Sequence, residues 1–188
     1  FADGSIEVRD YGRGIPLDYN EKVGRYNWDL VYCELYAGGK YKNNSSDGTY
    51  EYSLGLNGLG ACATQYSSEY MDVEVIRDNT RYTLHFEHGE NIGGLKKEPA
   101  PAKAKTGTVQ RWKPDLEVFT DINIPLEHFQ DILRRQSMTN AGIKFVLFNE
   151  TAEGMELYEY YYEHGIIDYL GECVGDKGFT TIEGWDAE

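Results

Sequence analysis

Apolar and polar residues alternate over Ile6-Glu7-Val8-Arg9, the period of a half-buried strand, and the run stops at Asp10. From Asn27 the period lengthens. Leu30, Val31 and Leu35 fall on one face of a helix predicted over 27–37, with Asn27 as N-cap and Gly38 as its stop. Residues 39–53 are polar and glycine-containing, with Asn43-Asn44-Ser45-Ser46-Asp47-Gly48 at their centre, and read as a mobile loop. A second helix is predicted over 61–70. Strands at 71–76 and 81–87 form a hairpin about Asp78-Asn79. Residues 92–105, with prolines and four lysines, read as a surface loop, and 108–112 as a short strand. A helix over 125–138 starts on Pro125 and turns Phe129, Ile132 and Leu133 to the core. Strands at 143–148 and 157–162 flank a turn at 151–154. Beyond Gly165 the pattern weakens, and the last twenty residues read as the start of another unit.

Composition narrows the class. The chain has 188 residues, enough for one domain with the beginning of a second. Its 16 tyrosines suit half-buried strands. No run reaches the roughly 18 apolar residues of a membrane span, and no secretory signal opens the chain. Phe1 to Ser5 reads as a turn already under way, so the chain is expected to begin inside a larger protein. The three cysteines, Cys33, Cys62 and Cys173, are read as reduced, buried thiols of a cytoplasmic protein. A net charge of −14 opposes direct gripping of DNA by this segment, but not ATP, which backbone N–H groups can hold.

Two glycine motifs carry candidate chemistry. In Asp10-Tyr11-Gly12-Arg13-Gly14-Ile15-Pro16 a carboxylate ends a strand before a turn that glycines relax. Read alone, this is more often a plain turn than a site. The functional reading has Asp10 accept a hydrogen bond from an exocyclic amine. Gly12 and Gly14 then admit a flat ring, and Ile15 and Pro16 form an apolar wall. Gly55-Leu56-Asn57-Gly58-Leu59-Gly60 puts three glycines at a helix mouth. It is neither the dinucleotide-binding fingerprint nor a P-loop. It is either a tightly packed helix start or a phosphate-binding N-terminus. His85 and His88 read as a solvated strand end rather than metal ligands.

Taken together and in order, these motifs resemble the ATPase region of the type IIA DNA topoisomerases, of the superfamily shared with Hsp90, MutL and histidine kinases. Leu35-Tyr36-Ala37-Gly38-Gly39-Lys40, the stretch 50–60, Thr106-Gly107-Thr108 and Trp112-Lys113-Pro114-Asp115 complete the match, which runs from about Asp3 to Glu163. The resemblance implies an α+β fold: a two-layer sandwich of a mixed, mainly antiparallel sheet with helices on one face. It implies an ATP-binding domain over 1–163 and the start of a transducer domain or linker over 164–188. Asp10 would take the adenine amine, with Thr108 sharing a water at the base. Gly12, Ile15 and Pro16 would line the base pocket. Lys40 and Gly55, Leu56, Asn57, Gly58, Leu59 and Gly60 would hold the phosphates, with 39–53 as the lid. Arg13 and Arg77 would contact aminocoumarin-type inhibitors.

The chain departs from the family pattern at Asn57, Leu54 and Glu51, where His, Gly and Lys are usual. The family's general base, a glutamate, and its Mg2+ ligand, an asparagine, sit on a helix before the Asp10 strand and fall outside these residues. ATP-driven homodimerisation, DNA strand passage and pairing with the cleavage subunit would belong to the full-length protein. The alternatives are a nucleotide- or inhibitor-binding module without turnover, and a histidine-kinase or chaperone relative.

Overall fold

The structure is a computed structural model that describes residues 1–36, 58–178 and 180–184. The chain packs as two compact units, residues 3–122 and residues 123–188 with 1 and 2. The first unit holds β1 (Ile6–Asp10), β2 (Tyr19–Asn20), β3 (Arg25–Tyr26), α1 (Asn27–Tyr32), α2 (Gly60–Tyr66), β4 (Ser68–Arg77), β5 (Thr80–Glu87), β6 (Glu90–Asn91), β7 (Lys96–Pro99) and β8 (Gly107–Pro114). Its sheet runs β1-β8-β4-β5-β6, with β7 also on β5, and its strand pairs are antiparallel. β2 and β3 make a separate small hairpin.

Register explains the layers. Met71, Val73 and Val75 alternate with Asp72 and Glu74 along β4, and pair across to Phe86, Leu84 and Tyr82 of β5 and to Trp112, Gln110 and Thr108 of β8. Since side chains alternate faces, this row forms one apolar face. Tyr32 of α1 and Leu17 close over it, forming the core with Met71, Val73, Val75, Leu84 and Phe86. The other face carries Glu7, Arg9, Asp72, Glu74, Thr83 and Arg111. Helices thus cover one side of a mainly antiparallel sheet, as expected.

Several elements differ from their sequence-based bounds. α1 stops at Tyr32 rather than running to 37. Cys33 caps it, its N–H donating to the Asp29 carbonyl, and Tyr36 lies at φ +63°, which a right-handed helix cannot continue. Leu35 is accordingly exposed. Tyr26 is the N-cap, while the Asn27 amide pairs with Asn20 instead. α2 ends at Tyr66, four residues early. The Ser67 and Ser68 hydroxyls donate back to the Ala63 and Thr64 carbonyls and take up orphaned acceptors at its end. The chain then enters β4. The supposed loop 92–105 contains β7, which pairs with Thr80 to Thr83.

The second unit holds α3 (Leu126–Thr139), β9 (Phe145–Thr151), β10 (Gly154–Tyr160) and α4 (Ile166–Val174). β9 and β10 form the expected hairpin. Ile132 is exposed, and Ser137 takes the buried place instead, its hydroxyl satisfied by the Arg134 carbonyl. The stretch after Gly165 is helical, and α4 packs on α3 inside this unit. All three cysteines are free thiols. Cys62 is buried and Cys33 half-buried, but Cys173 is exposed, contrary to the burial expected of it.

One contact predicts a pH response. His88, at φ +45° in the β5–β6 turn, places Nδ1 2.8 Å from the nearly buried Asp115 carboxylate. Asp115 also accepts the Glu117 N–H at 2.8 Å. The Asp115 hydrogen bond raises the His88 pKa, and Glu117 and Glu69 add to it, Glu69 itself being paired with Lys113. The Glu117 N–H and His88 lower that of Asp115. A raised folded pKa gives stability that is complete below the unfolded value, about 6.5, and is lost as pH rises through the folded value. The lowered Asp115 pKa makes the pair fail again in strong acid. His88→Gln is expected to lower the melting temperature most near pH 5–6 and to match the parent by about pH 9. Melting curves at both ends of that range check this; an equal shift throughout would show that the pair does not titrate.

Candidate functional site

Asp10 is the last residue of β1 and stands opposite Thr108 of β8. The turn after it is built by three local contacts. The Gly12 N–H donates to Asp10 Oδ1 at 2.8 Å. The Ile15 N–H donates to Thr108 Oγ1 at 3.2 Å. Arg77 Nη1 donates to the Gly14 carbonyl at 3.1 Å. Gly14 itself is required. It lies at φ +78°, and a Cβ there would meet the Ile76 carbonyl and Val75 Cγ1 at 2.9 Å. The turn is therefore fixed from β8 and β4 before any ligand arrives.

This leaves Asp10 Oδ2 without a hydrogen-bond partner among the described residues, on an exposed carboxylate at the end of the sheet. Thr108 is only 2% exposed, and its hydroxyl is already engaged as an acceptor. Ile15 and Pro16 are half-buried beside it, and Ile15 packs on the core. Burial, then the Asp10 charge, push the Tyr32 phenol well above its ordinary pKa, so it stays protonated beneath the site. The arrangement can accept a hydrogen bond from an amine at a rigid, half-apolar edge.

The structure brings Asp10, Gly12, Ile15, Pro16 and Thr108 together here. Arg77 also arrives, but it holds the Gly14 carbonyl and pairs with Asp78. Arg13 is exposed on the same turn. Lys40, Gly55, Leu56 and Asn57, the departures at 51 and 54, and the lid 39–53 lie outside the described residues. Gly58 takes φ +59°, Leu59 caps α2, and Gly60 opens it. Among the described residues a Cβ at Gly60 would meet nothing within 4 Å, so packing against them does not explain that glycine. The first N–H groups of α2 have no intrahelical acceptor and suit an anion.

Gly107 is a site residue that the sequence did not single out. It lies at φ +153°, and a Cβ would stand 2.1 Å from the Asp10 carbonyl oxygen. Its signal was present in Thr106-Gly107-Thr108, but the need comes from a strand far off in sequence.

No protein-family signature matches the chain. It is 34% identical over 177 residues to the B subunit of DNA gyrase from Synechocystis, covering 94% of this chain and 16% of that protein. It is 32% identical over 181 residues to the B subunit of DNA topoisomerase 4 from Salmonella typhimurium, covering 96% of this chain and 28% of the relative. The chain thus spans well under a third of either. Among solved structures it superposes on the 43K ATPase domain of Thermus thermophilus gyrase B, determined with an aminocoumarin. The TM-score is 0.71 at 25% identity, over 93% of this chain and 42% of that one.

The fold is therefore that of the Bergerat-type ATPase domain of type IIA topoisomerases. The chain is a homologue of the B subunits of that class, those of DNA gyrase and of topoisomerase IV.

Proposed function

We propose that this chain is the ATP-binding core of the B subunit of a type IIA topoisomerase. In the intact protein, ATP binding and hydrolysis would be coupled to DNA strand passage. The observation that carries the reading is the Asp10 oxygen that has no hydrogen-bond partner among the described residues, held at the strand end by a turn already locked to Thr108 and Arg77. Asp10 takes the adenine amine, and Thr108 takes a water at the base edge. Gly12, Ile15 and Pro16 line the ring. Lys40 and residues 55–60 hold the phosphates. ATP supplies the phosphoanhydride bond; this chain's residues bind and orient it. Arg13 and Arg77 border the place where an aminocoumarin would compete.

The nucleotide-binding domain runs to about residue 163, and 164–188 leads toward the transducer, although α4 packs on α3 of the same compact unit. Among the described residues no group of three or more His, Cys, Asp or Glu could hold a metal ion, and the Mg2+ ligand that the family resemblance implies belongs to a helix before the Asp10 strand. ATP-driven pairing of two subunits, partnership with the cleavage subunit and a cytoplasmic location belong to the same proposal.

Separating base from phosphate recognition tests the assignment. Gly58→Val adds a branched side chain at φ +59°, a conformation that suits glycine, where the phosphates are proposed to approach. It is expected to weaken ADP at least tenfold while leaving adenosine nearly unchanged, as read by calorimetric titration. Equal weakening of both ligands would make the loop a packing element and remove it from the phosphate site.

A further inference from the structure

Buried polar groups are nearly always hydrogen-bonded, because one left alone bears its whole desolvation cost. Among the described residues four buried side-chain atoms break this rule: Trp28 Nε1, the Tyr32 hydroxyl and both amide atoms of Gln65. The Tyr32 hydroxyl is set close to the candidate site. Tyr32 is the last residue of α1, and none of it is exposed. It belongs to the core cluster that holds Val75 and takes up Ile15 at its edge. Val75 stands opposite Thr108, and Thr108 opposite Asp10. The ring is tilted against that of Phe86, 5.7 Å centre to centre, a contact that fixes the ring and gives its hydroxyl no acceptor. Burial and then the Asp10 charge keep the phenol protonated, so it has a proton to donate.

We propose that Tyr32 is a positioning residue of the adenine pocket, its hydroxyl anchoring ordered water at the ring-nitrogen edge of the base. The inference rests on the reading of Asp10 as the adenine anchor. It follows from matching donors to acceptors. Beside its exocyclic amine, a donor, adenine carries the ring nitrogen N1, an acceptor. A carboxylate offers only lone pairs, so Asp10 can serve the amine but not N1. Thr108 Oγ1 accepts the Ile15 N–H and keeps its own proton to give. Water that accepts from Tyr32 and Thr108 has both its protons left, for Asp10 Oδ2 and for N1. Buried water is held by two to four such partners. Removing the Tyr32 oxygen takes away one donor and frees the water to turn from N1.

The competing explanation is an orphan hydroxyl that costs stability and serves no ligand. The two differ in sign. Tyr32→Phe keeps the ring and removes the oxygen. Relieving an orphan should raise the melting temperature and leave ligand affinities unchanged. Removing a water anchor should hold or lower the melting temperature and weaken adenosine by about 2- to 12-fold, the worth of one neutral hydrogen bond. 1-Deazaadenosine keeps the amine and has C–H in place of N1, so it gives a readout that packing alone would not move. The parent should bind it about 2- to 12-fold more weakly than adenosine. In Tyr32→Phe that preference should shrink toward none, because the water no longer aims at N1.

Calorimetric titrations of both nucleosides into this chain and into Tyr32→Phe, with melting curves on each, decide. Equal affinity of the parent for adenosine and 1-deazaadenosine would overturn the inference without any variant. So would a Tyr32→Phe chain that keeps the parent's preference for adenosine. Equal weakening of both nucleosides in the variant would do so too, marking a packing role. A parent that binds neither nucleoside would remove the adenine reading and this inference with it. A parent that binds both leaves that reading standing whichever way Tyr32 falls.

Discussion

Asp10→Ala is expected to weaken adenosine, ADP and ATP analogues alike, by about 10- to 150-fold. A hydrogen bond to a charged group is worth roughly 1.5–3 kcal/mol, and every ligand in that series presents the same amine. The substitution also removes the acceptor for the Gly12 N–H, which would loosen the turn. Asp10→Asn separates these effects. Its side-chain oxygen can keep the Gly12 contact, while the NH2 faces the ligand amine with a donor where an acceptor is needed. Asn should therefore melt near the parent and still bind poorly. Calorimetry and melting curves on both variants decide. Parent-like affinity in Asp10→Asn would mean that the carboxylate serves the turn alone.

Gly107→Ala is expected to damage fold and site together. The added Cβ would stand 2.1 Å from the Asp10 oxygen, 3.1 Å from the Asp10 carbonyl carbon and 3.1 Å from Tyr11 Cα. These are all backbone atoms, so no rotamer change relieves the clash. The backbone region at φ +153° also costs a non-glycine residue about 1–3 kcal/mol. The Asp10–Thr108 pairing must give way, taking the floor of the site with it. A loss of about 3 kcal/mol or more, roughly 6–12 °C in melting temperature, is expected, with nucleotide binding lost as well. Gly60→Ala is the control for stability. Space is open there and alanine favours a helix, so the melting temperature should hold or rise slightly. A parent-like melt for Gly107→Ala would show that β1 and β8 are not held as closely as described.

What could be read from sequence tracks how local the cause was. The β4–β5 hairpin was legible because Asp78 and Asn79 both take left-handed φ, 51° and 57°, residue types suited to a two-residue turn between alternating strands. The turn after Asp10 was legible for a similar reason, with Gly14 at φ +78°. The end of α1 was not, because Tyr36 gives no sign of its left-handed backbone. The end of α2 depended on two serine hydroxyls turning back on the helix, a choice that serines make in context. β7 was hidden by lysines and prolines, which suit an edge strand as well as a loop. Thr108 entered through family resemblance, and Gly107 escaped notice because its constraint is the Asp10 backbone across the sheet. The clamp of Arg77 on the Gly14 carbonyl is a tertiary contact that no local pattern encodes.

The central claim is that adenine sits against Asp10 and Thr108. Backbone amide spectra of the 15N-labelled chain, titrated with a non-hydrolysable ATP analogue, address it directly. Saturable shifts centred on Gly12, Gly14, Ile15 and Thr108, absent in Asp10→Asn, are the predicted result. Saturable shifts confined to other residues, or the same shifts persisting in Asp10→Asn, would contradict it.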